Sequence, residues 1–257
     1  MFQIKICGIT NRDDAIVAAE AGADAIGLNF YPRSRRHISL DTAREIIDAL
    51  PQTVVKVGLF VNASAAKVCQ VYDDLQLDLI QLHGDEPPEY LAQLGGRPGD
   101  CPDFRLSENG TVPFRAVRPV MKAFRGDCPN FRSSENGTVP FSTLDVVTAF
   151  LAQCAELGTA PGVVMFDSQV AGEYGGTGRT ADWDTAREYA SQSSLPPLVL
   201  AGGLTPDNVA EAIRFVRPAA VDVASGVESS PGRKDPAAVK AFVQAAREGW
   251  RQIALRR

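Results

Sequence analysis

An α/β barrel of the (βα)8 or TIM type, one domain over residues 1–257, is the fold this chain predicts. Three observations point to it. Short, nearly continuous apolar runs recur along the sequence, as strands buried on both faces of a parallel sheet should. Amphipathic stretches with helix start signals lie between them. The rival open, doubly wound sheet usually carries a G-x-G-x-x-G turn after an early strand, and none stands at the first turn here.

The strand candidates are FQIKIC (2–7), AIGLNF (25–30), VVKVGLFV (54–61), LDLIQLH (77–83), VMKAF (120–124), GVVMFD (162–167), PLVLAGG (197–203) and AVDVASG (220–226). Ser39 opens a helix with apolar residues at Leu40, Ala43, Ile46, Ile47 and Leu50. Gly22 ends the helix after the first strand as a left-handed cap would. Thr205 followed by Pro206 reads as an N-cap with proline at the first helical position, and Asp235-Pro236 repeats that device.

One region breaks the rhythm. GDCPDFRLSENGTVPF (99–114) and GDCPNFRSSENGTVPF (126–141) are near-copies flanking the fifth strand. Rich in Gly, Pro, Asn and Ser and without apolar period, they read as surface insertions; two copies are too few for a solenoid. Without them the chain would hold about 225 residues, near the ~250 of this barrel. Asn109 and Asn136 match a glycosylation pattern, read as accidental, and Cys101 and Cys128 are passengers of the repeat.

Composition excludes several classes. Apolar residues are 45% and charged residues 22%, ordinary for a globular chain. A net charge of -5 disfavours nucleic-acid or anionic-membrane partners. No apolar run approaches the ~20 residues of a membrane span, and no secretion signal is visible. The five cysteines form no CxxC pair and there are only two histidines, so a metal site lacks material and a reducing cytoplasm is expected.

Candidate chemistry gathers at strand ends, the mouth of such a barrel. Cys7 ends the first strand beside glycine, where a ligand could reach it. Asp167 ends the sixth, and a carboxylate there is costly unless bonded or used. The next stretch, GEYGGTGRT (172–180), has the composition of a closing loop. Gly202 and Gly203 after the seventh strand, with Ser225 and Gly226 after the eighth, lie where this fold binds phosphate. Asp222 lies inside the eighth strand, where alternation can point it at a substrate or bury it as a bonded structural group. YPRSRRHIS (31–39) is an anion trap in which Arg36 can grip a carboxylate bidentately, while Arg33 and Arg35 read as solvated. His83 reads as pocket-lining only. A thiol and a carboxylate across one pocket are a base and an acid.

In order along the chain, KICGIT, DAIGLNFYPRSRRHIS, VGLFVN, QLHGDE, FDS with YGGTGRTADW, LAGGLTPDNV and VDVASGVESSPGRKD resemble the phosphoribosylanthranilate isomerases of tryptophan biosynthesis. The doubled segment departs from that pattern. The resemblance implies an Amadori rearrangement of N-(5-phospho-β-D-ribosyl)anthranilate to 1-(2-carboxyphenylamino)-1-deoxy-D-ribulose 5-phosphate. It implies Asp167 as the general acid that opens the ribose ring and Cys7 as the general base at ribose C2. Arg36 would hold the anthranilate carboxylate, Asp222 would lie near the ribose hydroxyls, and Gly202, Gly203, Ser225 and Gly226 would bind phosphate. It implies no metal or organic cofactor, a small-molecule substrate as the partner, and a monomer or homodimer.

Three other readings share the barrel. A ribulose-phosphate 3-epimerase wants metal-binding histidines, which are missing. An indole-glycerol-phosphate synthase wants catalytic lysines, for which Lys5, Lys56 and Lys122 are formal candidates. A non-catalytic phosphosugar-binding protein would follow if the insertions had spoiled the site.

Overall fold

Alternation of apolar side chains sorts the strand residues into two shells. The computed structural model describes residues 1–95, 118–125, 143–167 and 183–255. Strands β1 (Ile4–Cys7), β2 (Ala25–Asn29), β3 (Val55–Phe60), β4 (Leu79–Leu82), β5 (Val120–Arg125), β6 (Val163–Asp167), β7 (Leu198–Leu200) and β8 (Ala220–Val223) pair in parallel and close into a barrel, β8 returning to β1. Helices follow them in turn: α1 (Arg12–Ala21), α2 (Leu40–Asp48), α3 (Ala65–Asp74), α4 (Pro88–Gln93), α5 (Thr143–Glu156), α6 (Trp183–Ala190), α7 (Val209–Val216) and α8 (Pro236–Ala254). Ile4, Ile6, Ile26 and Leu28 share one buried cluster with helix residues such as Ala15, Val68 and Phe242, so they face outward to the helices. Ala25, Val57, Leu79, Met121, Met165 and Val199 form a separate buried cluster that fills the barrel itself. Fully buried side chains such as Phe60 and Phe242 contribute about 1.5–3 kcal/mol each.

Helix ends follow the chemistry expected of them in most cases. Ser39 caps α2 by accepting from Thr42 N, and Asp235 caps α8 by accepting from Ala237 N and Ala238 N. Gly22 takes φ 94° after α1. Thr205 is a correction. The cap position of α7 is Asn208, three residues on, and the helix begins at Val209. Asn208 Oδ1 accepts from Thr205 N and its Nδ2 donates to Gly203 O, so the amide ties the loop down before the helix starts.

The strands are shorter than the apolar runs. Gly202 and Gly203 adopt φ 82° and 65°, which ends β7 before them. After β8 the chain makes a 3₁₀ turn at Ser225–Val227 and then a small antiparallel ribbon, β9 (Glu228–Ser230) with β10 (Arg233–Lys234). Strands of two and three residues carry no readable period, so the ribbon was not foreseen. β5 is in place between β4 and β6 although the repeat copies flank it in sequence. The copies at 99–114 and 126–141, and the stretch 172–180, lie outside the described residues. No described helix is long and apolar enough to cross a membrane.

Candidate active site

Outward Ile4 and Ile6 leave Lys5 and Cys7 pointing into the barrel, because side chains alternate along a strand. The same alternation turns Gln81, Arg125, Asp167 and Asp222 inward and puts His83, just beyond β4, on the side of Gln81. Cys7 and Asp167 each end their strands, so both stand at the carboxyl-terminal mouth. β1 and β6 are three strands apart round the closed sheet, which sets the two on opposing parts of its wall. Each is almost wholly buried, as are His83 and Asp222.

Cys7 packs with Leu59, Val61, Tyr31 and Ala224. Burial pushes its thiol up, while the Lys5 ammonium draws it back down; Asp222 adds to the rise and Lys234 opposes it, and the net is upward. Lys5, 0% exposed, donates from Nζ to Asp222 Oδ1 at 2.8 Å, its partner across the β1–β8 pairing. Asp222 therefore faces inward and is engaged as a bonded ion.

Arg36 reaches over Gly8 toward this corner. Its Nε and Nη2 each donate to Glu228 at 2.7 Å, and Lys234 Nζ donates to the same carboxylate at 2.9 Å. Two cations thus share one carboxylate, and the cluster carries one net positive charge. A fork engaged through Nε and Nη2 keeps its Nη1–Nη2 edge for a second carboxylate. Burial alone would raise the Glu228 carboxyl, but the bonds and charges of Arg36 and Lys234 outweigh it and hold the group below its ordinary 4.5. Its stabilising contribution is complete above that value and is lost as pH falls through the lower, folded one. Glu228→Gln is therefore expected to lower Tm at neutral pH by ~4 °C or more and to shrink the loss of Tm below pH 4.5, read by thermal melts across acid pH.

At the opposite wall His83 Nε2 lies 3.1 Å from Asp167 Oδ2, without a hydrogen bond between them. Gln81 Nε2 contacts His83 Nδ1 at 2.9 Å, which leaves Nε2 as the ring nitrogen on the side of Asp167. His83 is thus a neighbour of the acid, more than a pocket wall. Lys122 is engaged by Glu86 and the Gly84 carbonyl, at 2.9 and 2.7 Å, and Lys56 by Asp78. None of the three lysines weighed for a synthase stands free.

The two glycine loops meet. A Cβ added to Gly226 would sit 1.9 Å from the Leu204 carbonyl oxygen, so the turn after β8 lies directly on the loop after β7. Sequence reading did not single out Gln81, Arg125, Glu228 or Lys234. Spacing held a signal for one of them: Gln81 and His83 are two apart in an extended run, hence on one face.

The site's likeness to known proteins is extensive. A family model described as N-(5'phosphoribosyl)anthranilate (PRA) isomerase matches residues 4–109 and 145–245. A Trichlorobacter lovleyi protein named N-(5'-phosphoribosyl)anthranilate isomerase is 43% identical over 249 residues, spanning 96% of this chain and 99% of its own. A phosphoribosyl anthranilate isomerase structure from Thermotoga maritima matches with TM-score 0.72 and 36% identity, covering 96% of this chain and 100% of that one. A structure of such an isomerase in complex with reduced 1-(o-carboxyphenylamino)-1-deoxyribulose 5-phosphate matches with TM-score 0.69 and 34% identity, again covering 96% and 100%. The chain belongs to the N-(5'-phosphoribosyl)anthranilate isomerase family.

Proposed function

We propose that this chain converts N-(5-phospho-β-D-ribosyl)anthranilate to 1-(2-carboxyphenylamino)-1-deoxy-D-ribulose 5-phosphate, a step of tryptophan biosynthesis, with Asp167 as acid and Cys7 as base. The observation that carries the assignment is the placement of one thiol and one carboxylate at the mouth ends of β1 and β6. Asp167, protonated, gives its proton to the ribose ring oxygen. The C1–O bond breaks and the anthranilate nitrogen lone pair forms C1=N. The Cys7 thiolate takes the proton from C2, and those electrons form C1=C2 and neutralise the nitrogen. The enol then becomes the C2 ketone as C1 gains a proton and the C2 hydroxyl gives its proton up. No electrons enter or leave, so the step needs no redox partner.

Two anionic ends hold the sugar between these groups. The net positive cluster of Arg36, Glu228 and Lys234 suits the anthranilate carboxylate, and the apposed loops at Gly202, Gly203, Ser225 and Gly226 suit the phosphate. Holding both ends aligns C2 and the ring oxygen with base and acid, which can supply several kcal/mol of the barrier. Asp222 is assigned to the ribose hydroxyls in this reading, and His83, 3.1 Å from Asp167, to the surroundings of the acid. The free thiols of Cys7, Cys69 and Cys154 suit the reducing cytoplasm.

The test is complementation of a tryptophan auxotroph, with turnover followed by loss of phosphoribosylanthranilate fluorescence. Growth and turnover support the reading; a folded protein with neither overturns it. Gly226→Ala adds a further check. The new methyl meets a backbone carbonyl, which no rotamer change relieves. It is expected to cost about 1–3 kcal/mol of stability and raise KM ~10-fold by parting the two loops, measured by denaturant unfolding and initial rates.

A further inference from the structure

Why does the barrel interior bury a lysine directly below its thiol? Lys5 is fully buried, and a buried ammonium is costly unless its partners compensate it. Asp222 takes one of its three N–H groups, at 2.8 Å. The other side of the ammonium faces the thiol. A Cβ built on Gly27 would lie 2.6 Å from Cys7 Sγ and 2.9 Å from Lys5 Nζ, so both heads converge on one point above that glycine. Gly27 is also the register partner of Cys7 on β2. Any side chain there would enter the space that thiol and ammonium share.

We propose that Lys5 is the positioning residue that eases ionisation of Cys7 to the thiolate, and that Gly27 keeps the space between them open. The proposal rests on the reading of Cys7 as the base. A base must lose its proton before it can take one, and the walls around Cys7 are mostly apolar: Leu59, Val61 and Ala224. Desolvation favours the neutral thiol, and Lys5 is the largest force opposing it. Among the described residues, the other charged or titratable groups facing the thiol are Asp222 from β8, Lys234 from β10, and Arg36 and Tyr31 from the segment after β2. Asp222 works against the thiolate, its negative charge opposing ionisation of the thiol, more weakly than Lys5 favours it.

The test is the pH titration of the Cys7 thiolate by its ultraviolet absorbance, each background read against the same protein carrying Cys7→Ser. It needs no substrate, so its outcome is independent of the isomerase reading; loss of the proposal leaves the turnover assay standing, and the reverse holds too. Lys5→Met is expected to move the inflection up by at least ~1 pH unit, a tenfold loss of thiolate at any pH below it. Asp222→Asn is expected to move it down. A mere loss of structure would not drive the two in opposite directions. Lys5→Met leaves the Asp222 carboxylate unpaired, so the double variant Lys5→Met with Asp222→Asn covers a failure to fold. It too is expected above wild type, because Lys5 acts on the thiol more strongly than Asp222 does. The pH profile of kcat/KM should follow each shift. An unshifted or lowered inflection in the folded double variant, or an upward shift in Asp222→Asn, overturns the proposal.

Discussion

Cys7→Ser is expected to lower kcat by ~10²-fold or more while KM stays within about threefold. The hydroxyl is nearly isosteric, so the packing with Leu59 and Val61 and the anion sites on either side are kept. What is lost is basicity available at working pH: an aliphatic alcohol far more rarely gives up its proton than a thiol does. The wild-type profile carries the sign of this assignment. Cys7 acts deprotonated and burial raises its thiol, so kcat/KM should climb as pH rises toward that raised value and fall on acidification. Stopped assays across pH read both effects, and full activity in Cys7→Ser removes the thiol from the mechanism.

Asp167→Asn carries the second large effect, a loss in kcat of ~10²-fold or more with little change in KM. The amide fills the same space beside His83, at the end of β6. It has no acidic proton for the ring oxygen, so C1–O cleavage would expel a poor leaving group unaided. The two losses should not add in full, because ring opening must precede proton removal and both residues serve one sequence. A double variant much slower than the product of the singles would argue against a shared pathway. Retention of wild-type kcat in Asp167→Asn would exclude the carboxylate.

Much of the barrel was legible because its strands are buried on both faces and so appear as unbroken apolar runs. Their ends were not legible in the same way. LAGG and ASG continue apolar or small residues past the point where positive φ at Gly202 or the 3₁₀ turn at Ser225 ends the strand. Thr205 looked like a cap because Thr-Pro is a common opening; the competing Asn208 amide decided the outcome through bonds on both sides of the loop. Cys7 and Asp167 were visible as polar residues closing apolar strands. Lys5 was visible too but was weighed only as a catalytic lysine of another enzyme. Its i, i+2 relation to Cys7 already put both on one face. Glu228 and Lys234 were hidden for a different reason: their meeting with Arg36 depends on a ribbon that brings together residues about 190 positions apart, and no local pattern encodes it.

Catalysis turns on geometry round one sugar, and a crystal structure of this protein with reduced 1-(o-carboxyphenylamino)-1-deoxyribulose 5-phosphate tests that geometry most directly. The expected complex has Cys7 Sγ about 3–3.5 Å from C2 and an Asp167 carboxylate oxygen within hydrogen-bond reach of the former ring oxygen, with phosphate on the glycine loops and carboxylate on Arg36. A ligand bound with its ends reversed, or with either Cys7 or Asp167 out of reach of the sugar, would contradict it.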